Sequence, residues 1–234
     1  PPPTPPPGPP PPPQEGDHAH QKYRKKARAP RMAEPAKPKP TYKRSWSAPT
    51  KTAADTIAQI AANDPTLDIV DLSNSAVFQM RSDEIMASLA QALSANNLVR
   101  ELNLANCGVS DKGCAALAAA LRRNSSVCII DLSNNCISSE GAAALAGGLG
   151  ENVGVRELGL MNQSQGRWTD TCLDCFLGMF ERNVTLLKIV WRLESRKSFA
   201  INKCITRNNE IDRRTKASLP YDDILPEALK GRAV

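Results

Sequence analysis

Apolar residues return along this chain at a fixed interval. From about residue 53 they fall at x, x+3, x+5 and often x+10, in Leu67-Val70-Leu72-Val77, Val99-Leu102-Leu104-Val109, Val127-Ile130-Leu132-Ile137 and Val155-Leu158-Leu160. A fifth segment, Leu186-Ile189-Trp191, follows, and the first positions are 32, 28, 28 and 31 residues apart. Each segment reads as a short strand, and the period marks a stacked repeat. Between the strands, Ile85/Leu89/Leu93, Cys114/Leu117/Leu121, Ala142/Leu145/Leu149 and Leu173/Phe176/Leu177/Phe180 are apolar at helical spacing. Ser82, Ser110, Ser139 and Thr169 (or Asp170) stand where N-caps are expected. Asn96, Asn124, Asn152 and Asn183 close the helices, with Asn63 and Asn208 extending the series. Asparagine tolerates left-handed backbone, so these are expected to be C-caps.

The fold class that follows is α/β: a solenoid of about five strand–helix repeats with a parallel sheet on its concave side. A helix at about 53–62 caps one end, and residues 198–209, with Ile201, Cys204 and Ile205 at helical spacing, close the other. The strings VRELNLANCGV and VCIIDLSNNCI match the leucine-rich repeat pattern, and Cys107 sits where such repeats bond the turn backbone. Small residues dominate the inner helix faces (AALAAAL, GAAALAGGL), which lets the helices lie close to the strands. We place the repeat domain at 51–214, an extended tail at 1–50 and a C-terminal tail at 215–234.

Composition changes the picture mainly at the N-terminus. Residues 1–50 hold 16 of the 19 prolines and 10 Lys/Arg against 3 Asp/Glu, whereas the rest holds 20 Lys/Arg and 21 Asp/Glu. The net charge of +6 therefore belongs to the tail, and the repeat domain is not a basic, nucleic-acid-binding type. The first residue is Pro1, as in a fragment or processed chain. No run approaches the ~18 apolar residues that a membrane span needs.

Candidate chemistry is sparse. Both histidines, His18 and His20, precede the repeats, which leaves no imidazole there for nucleophilic catalysis or metal ligation. Asp71, Asp131 and Glu157 are too dispersed for an acid–base pair, and no Gly-rich phosphate loop occurs. Cys172-x-x-Cys175 lies in a helix without a second pair, which reads as core thiols. Seven cysteines in apolar segments fit a reducing, cytoplasmic setting. We expect no enzyme activity, cofactor, metal or small-molecule substrate.

The tail suggests binding instead. In residues 1–13, Pro9, Pro10, Pro11, Pro12 and Pro13 form the longest polyproline stretch, a ligand for profilin, SH3 or WW-type domains, or a stiff spacer. Residues 21–44 interleave basic residues with proline and suit an acidic polymer such as a tubulin surface, or a solvated linker.

NDPTLDIVDLSN at 63–74, Asn-Gln-Ser-Gln at 162–165, NVTLLKIVW at 183–191 and ITRNNEIDRR at 205–214 together resemble the C-terminal domain of the tropomodulin–leiomodin family. The resemblance implies a cytoskeletal, actin-binding domain acting at the slow-growing (pointed) filament end. It points to Arg207, Asn208, Asn209, Arg213 and Arg214 of the closing segment as actin contacts. Outward strand positions add Asn103, Asp131, Glu157, Lys188 and Arg192. The segment LESRKSF lacks the Gly-Pro usual in that family, and no tropomyosin-binding helix precedes the repeats in this sequence. The other reading is a scaffold subunit of a ciliary or microtubule-associated assembly.

Overall fold

The computed structural model describes residues 52–165, 167–193 and 195–231, all within the compact unit Ala48–Val234. The polyproline stretch Pro9–Pro13 and the basic segment 21–44 lie outside the described residues. Five three-residue strands, β1 (Ile69–Asp71), β2 (Glu101–Asn103), β3 (Ile129–Asp131), β4 (Glu157–Gly159) and β5 (Lys188–Val190), form one parallel sheet in chain order. The register aligns Val70, Leu102, Ile130, Leu158 and Ile189 across it. Each strand turns one residue inward and two outward, so the sheet has one core face and one solvent face.

Helices α1 (Ala53–Ala61), α2 (Ala76–Met80), α3 (Ser82–Ala95), α4 (Asp111–Leu121), α5 (Ser139–Leu149), α6 (Asp170–Phe180) and α7 (Lys197–Lys216) complete the fold. Thr52 and Asp55 form a capping box on α1. Ser110 and Thr169 cap α4 and α6 as expected. The cap of α5 is Ser138, one residue before the expected Ser139. Ser82 is not a cap; it is the first residue of α3, buried, with a hydroxyl that has no hydrogen-bond partner. The longer first repeat explains the displacement. It inserts α2, capped by Ser75, and buries Phe78 in the core while the expected core residue Val77 is 63% exposed.

The recurring asparagines do something other than end helices in a left-handed turn. Only Asn63 of that series is left-handed (φ 51°); Asn96 is the expected C-cap of α3 but extended (φ −79°, ψ 140°), and Asn124, Asn152 and Asn183 follow the caps Arg122, Gly150 and Glu181 by two residues. Asn124 donates to the carbonyls of Leu93 and Asn96, Asn152 to Leu121 and Asn124, and Asn183 to Leu149 and Asn152, all at 2.7–3.0 Å. Each accepts from the amides two and three residues onward in its own chain segment, as Asn152 does from Gly154 and Val155. The result is a buried ladder of side-chain amides that replaces the hydrogen bonds lost where helix turns to strand.

The left-handed positions form a second series at the strand exits: Asn74, Asn106, Asn134 and Asn162, with φ between 55° and 59°. Beside them, Cys107, Asn135 and Gln163 occupy one repeat position and reach the carbonyls of Leu72, Leu104 and Leu132 in the preceding repeat. Cys107 thus has the backbone-bonding part expected of it, at 3.0 Å.

Two of the small residues on α5, Gly141 and Gly148, set how closely that helix approaches α4. A Cβ on Gly148 would stand 2.6 Å from the Ala118 carbonyl oxygen, and one on Gly141 would stand 2.3 Å from an Asp111 carboxylate oxygen. The far end of the core is closed by Phe176 packed edge-on against Trp191 (4.7 Å between centroids), with Trp168 6.1 Å from Trp191.

Candidate functional site

Two groups of polar side chains sit on the ordered frame. The first is on the solvent face of the sheet, where Ile69, Glu101, Ile129, Glu157 and Lys188 form one row and Asp71, Asn103, Asp131, Gly159 and Val190 the next. Asn103 and Asp131 are tied locally: each accepts the amide two residues on, from Ala105 and Ser133. Such a bond fixes the chain's exit from the strand. A Cβ on Gly159 would meet the Asp131 carboxylate at 2.7 Å, so the row tightens here. Lys188 and Glu157 form a solvent-exposed ion pair across β4 and β5 at 3.0 Å. Arg192 follows β5 on the half-exposed segment beside Trp191.

The second group is on α7. This helix is longer than the expected 198–209 and passes the expected domain end at 214. It stops at Ser218, whose φ of 53° ends the helical path. Arg213, Arg214 and Lys216 sit in its last turn, where positive charge complements the exposed carbonyls. Asn208 does not face a partner. It is fully buried (0%) and donates to the carbonyls of Asn183 and Leu186, forming the last rung of the asparagine ladder. Its oxygen accepts from Arg207, whose guanidinium also donates to the Phe180 carbonyl at 2.7 Å. Burial lowers the pKa of that half-buried guanidinium, yet an arginine remains charged. Arg207 is therefore a clamp between α6 and α7.

Asn209 is exposed but donates to the Leu187 carbonyl just before β5. Arg213 grips Glu210 with two bonds of 2.7 Å, and Arg214 binds Glu210, the Pro220 carbonyl and Asp223. Hydrogen bonds from Arg213 and Arg214 hold the Glu210 carboxyl at about 2, well below its ordinary value. At Asp212 burial works against ionisation, but Lys216 and Arg156 outweigh it and hold the carboxyl below the usual range. The Arg156–Asp212 bond of 2.7 Å fastens α7 to the residue before β4. After these pairings, Arg213 and Lys216 keep side chains 61% and 71% exposed, the most open cationic surface on the C-terminal turn.

Arg156, Glu210, Asp212 and Lys216 escaped the sequence reading. Glu210 and Lys216 carried a signal in their i, i+3 and i+4 spacing from arginine and aspartate. The pairing of Arg156 with Asp212, 56 residues apart, carried none.

Elsewhere the described surface offers little chemistry. A groove of about 660 Å³ between α1 and α3 is lined mainly by Ala53, Ile57, Ala61, Val77, Ile85 and Ala92, with the Arg81–Glu84 pair at its rim. It lacks the convergent polar groups of a small-molecule site. Among the described residues, no three His, Cys, Asp or Glu side chains are grouped to hold a metal, and no helix is long and apolar enough to cross a membrane. Burial pushes the Cys107 and Cys172 thiols up to about 11 and Cys114 to about 12, so these three stay protonated and unreactive.

The model of the TMOD/LMOD leucine-rich domain matches residues 50–211 of this sequence. The chain belongs to the tropomodulin–leiomodin leucine-rich repeat family. Two solved structures place it within that family's fold. One is described as leiomodin-1 actin-binding site 2, with TM-score 0.66 and 24% identity over 72% of this chain and 96% of that one. The other is the tropomodulin C-terminal domain of Caenorhabditis elegans, with TM-score 0.65 and 20% identity over 72% of this chain and 99% of that one. A sequence comparison with curated proteins finds no match. The tropomodulin–leiomodin match ends at 211, so the last turn of α7, with Arg213 and Lys216, lies just past it.

Proposed function

We propose that this chain is a non-catalytic, actin-binding module of the cytoskeleton, acting at the pointed end of filaments in the manner of its family. The observation that carries the reading is the family domain together with the solved leiomodin-1 structure, which bears actin binding in its description. The stacked repeats fix α7 through buried Asn208, Arg207 and the Arg156–Asp212 pair, which presents Asn209, Arg213 and Lys216 on a rigid support. Rigidity matters because a docking surface ordered in advance loses little entropy on binding.

The test is pyrene-actin assembly from barbed-end-capped seeds with the full chain. The chain changes pointed-end growth or nucleation at about micromolar concentration, and R213E/K216E weakens that effect about tenfold, equivalent to ~1.4 kcal/mol of contact. The reversals also cost the exposed pairs with Glu210 and Asp212 and the favourable charge at the helix end, so the melt drops by a few degrees while the chain stays folded. R213Q/K216Q, which places no like charge there, weakens the actin effect with a smaller drop. An inert full chain would contradict the proposal.

A further inference from the structure

The row Ile69–Glu101–Ile129–Glu157 on the solvent face of the sheet is untouched by the contacts of α7. Its members stand side by side on adjacent strands, so apolar and acidic side chains alternate across the sheet. Ile69 is 48% exposed, unusual for an isoleucine beside a core strand, and Ile129 is half-buried. Glu101 has no ion-pair partner among the described residues, and Glu157 meets only Lys188 at the row's end. The next row adds Asp71 and Asp131, each with one carboxylate oxygen bonded to a local amide. The two rows thus hold four carboxylates and one cation.

The spacing selects the shape of what would fit. Neighbouring strands lie ~4.8 Å apart. A helix rises 1.5 Å per residue, so residues three and four apart on one face advance ~4.5–6 Å. Along one face of an extended strand, residues repeat only every ~6.7 Å and fall out of phase after two strands. A helix laid across β1–β4 with apolar, basic, apolar and basic residues at i, i+3 or i+4, i+7 and i+10 or i+11 meets every member of the row. The geometry points to this face as the docking surface for a basic amphipathic helix of a partner protein. Lysine or arginine opposite Glu101 and Glu157 fixes the register, and the two isoleucines supply the apolar contact. Asp131 and Glu157, expected from the sequence to be actin contacts, belong to this face, whereas actin binding is tested on Arg213 and Lys216 of α7, so the two experiments read different surfaces.

The experiment measures fluorescence anisotropy of labelled synthetic helices on the full chain at low salt. One peptide carries the in-phase apolar–basic pattern; its isomer has the same composition with the basic residues moved to the opposite helix face. The in-phase peptide binds about tenfold tighter than its isomer, and E101K/E157K removes that preference. An in-phase peptide with glutamate in place of its basic residues then binds the E101K/E157K chain better than the parent. Circular dichroism shows an unchanged melt for E101K alone and a small drop for E101K/E157K, because the reversal at Glu157 breaks its exposed pair with Lys188 and sets a like charge opposite it. I69S, which keeps all charges, also weakens in-phase binding. Equal binding of the two isomers, or an undiminished preference in E101K/E157K, would overturn the proposal. So would concentration-dependent self-association that E101K abolishes, since the occupant would then be a second copy.

Discussion

Replacing Asn152 with alanine lowers the unfolding free energy by about 3–5 kcal/mol, the largest effect expected of any polar substitution in this fold. The side chain is 3% exposed and makes four hydrogen bonds of 2.7–2.9 Å, two to carbonyls of the preceding repeat and two from amides of its own. Alanine leaves the Leu121 and Asn124 carbonyls and the Gly154 and Val155 amides without their partner in a region that excludes water. Each orphaned group costs ~1–3 kcal/mol, moderated by local relaxation. Asn124→Ala orphans a different set, the Leu93 and Asn96 carbonyls and the Ser126 and Val127 amides, so a departure of the double variant from the sum of the single losses measures coupling between adjacent rungs through the backbone of residue 124. Asn209→Ala is the control: its side chain is exposed, and the loss stays within ~1 kcal/mol. Urea unfolding followed by circular dichroism checks all four. A loss below ~1 kcal/mol for Asn152→Ala would mean that the ladder does not hold the repeats together.

Adjacent glycines in α5 give opposite results. Gly148→Val destabilises by about 3 kcal/mol, because its Cβ would stand 2.6 Å from the Ala118 carbonyl oxygen and 2.8 Å from the Ala118 Cα of α4. Backbone cannot rotate away as a flexible side chain can, so α4 and α5 must separate and lose the packing along their length. Gly147→Ala stabilises by ~0.5–1 kcal/mol: the site is exposed and helical, and the nearest atom, an Arg122 guanidinium nitrogen, is 3.9 Å from the new Cβ. Thermal melts of the two variants should move in opposite directions. A shared direction would show that the inter-helix distance is set by something other than Gly148.

The strands were legible because each buries a single apolar side chain at a fixed step, and that burial leaves an unambiguous period. The asparagine series was equally visible, but its meaning was not. A periodic asparagine fits a left-handed cap as well as a buried ladder, and only the neighbouring repeat supplies the carbonyls that decide for Asn124 and Asn152. Asn208 shows the same limit at the candidate site. Its place in a family-like motif suggested contact with a partner, whereas stacking turned it inward as the last rung. Arg207 was likewise absorbed as a clamp on the Phe180 carbonyl. Ser82 failed as a cap because the four extra residues of the first repeat make α2, which shifts the start of α3. Arg156 and Asp212 meet only because the fold brings α7 to the residue before β4, a tertiary fact with no local trace.

Hydrogen–deuterium exchange of the full chain with and without monomeric actin tests most directly that the stacked repeats hold α7 as the docking element. Added protection is expected to concentrate in 205–218, with the buried ladder segments around Asn124 and Asn152 already slow and unchanged. Protection confined to α1–α3, or none at all under conditions where actin binds, would contradict it.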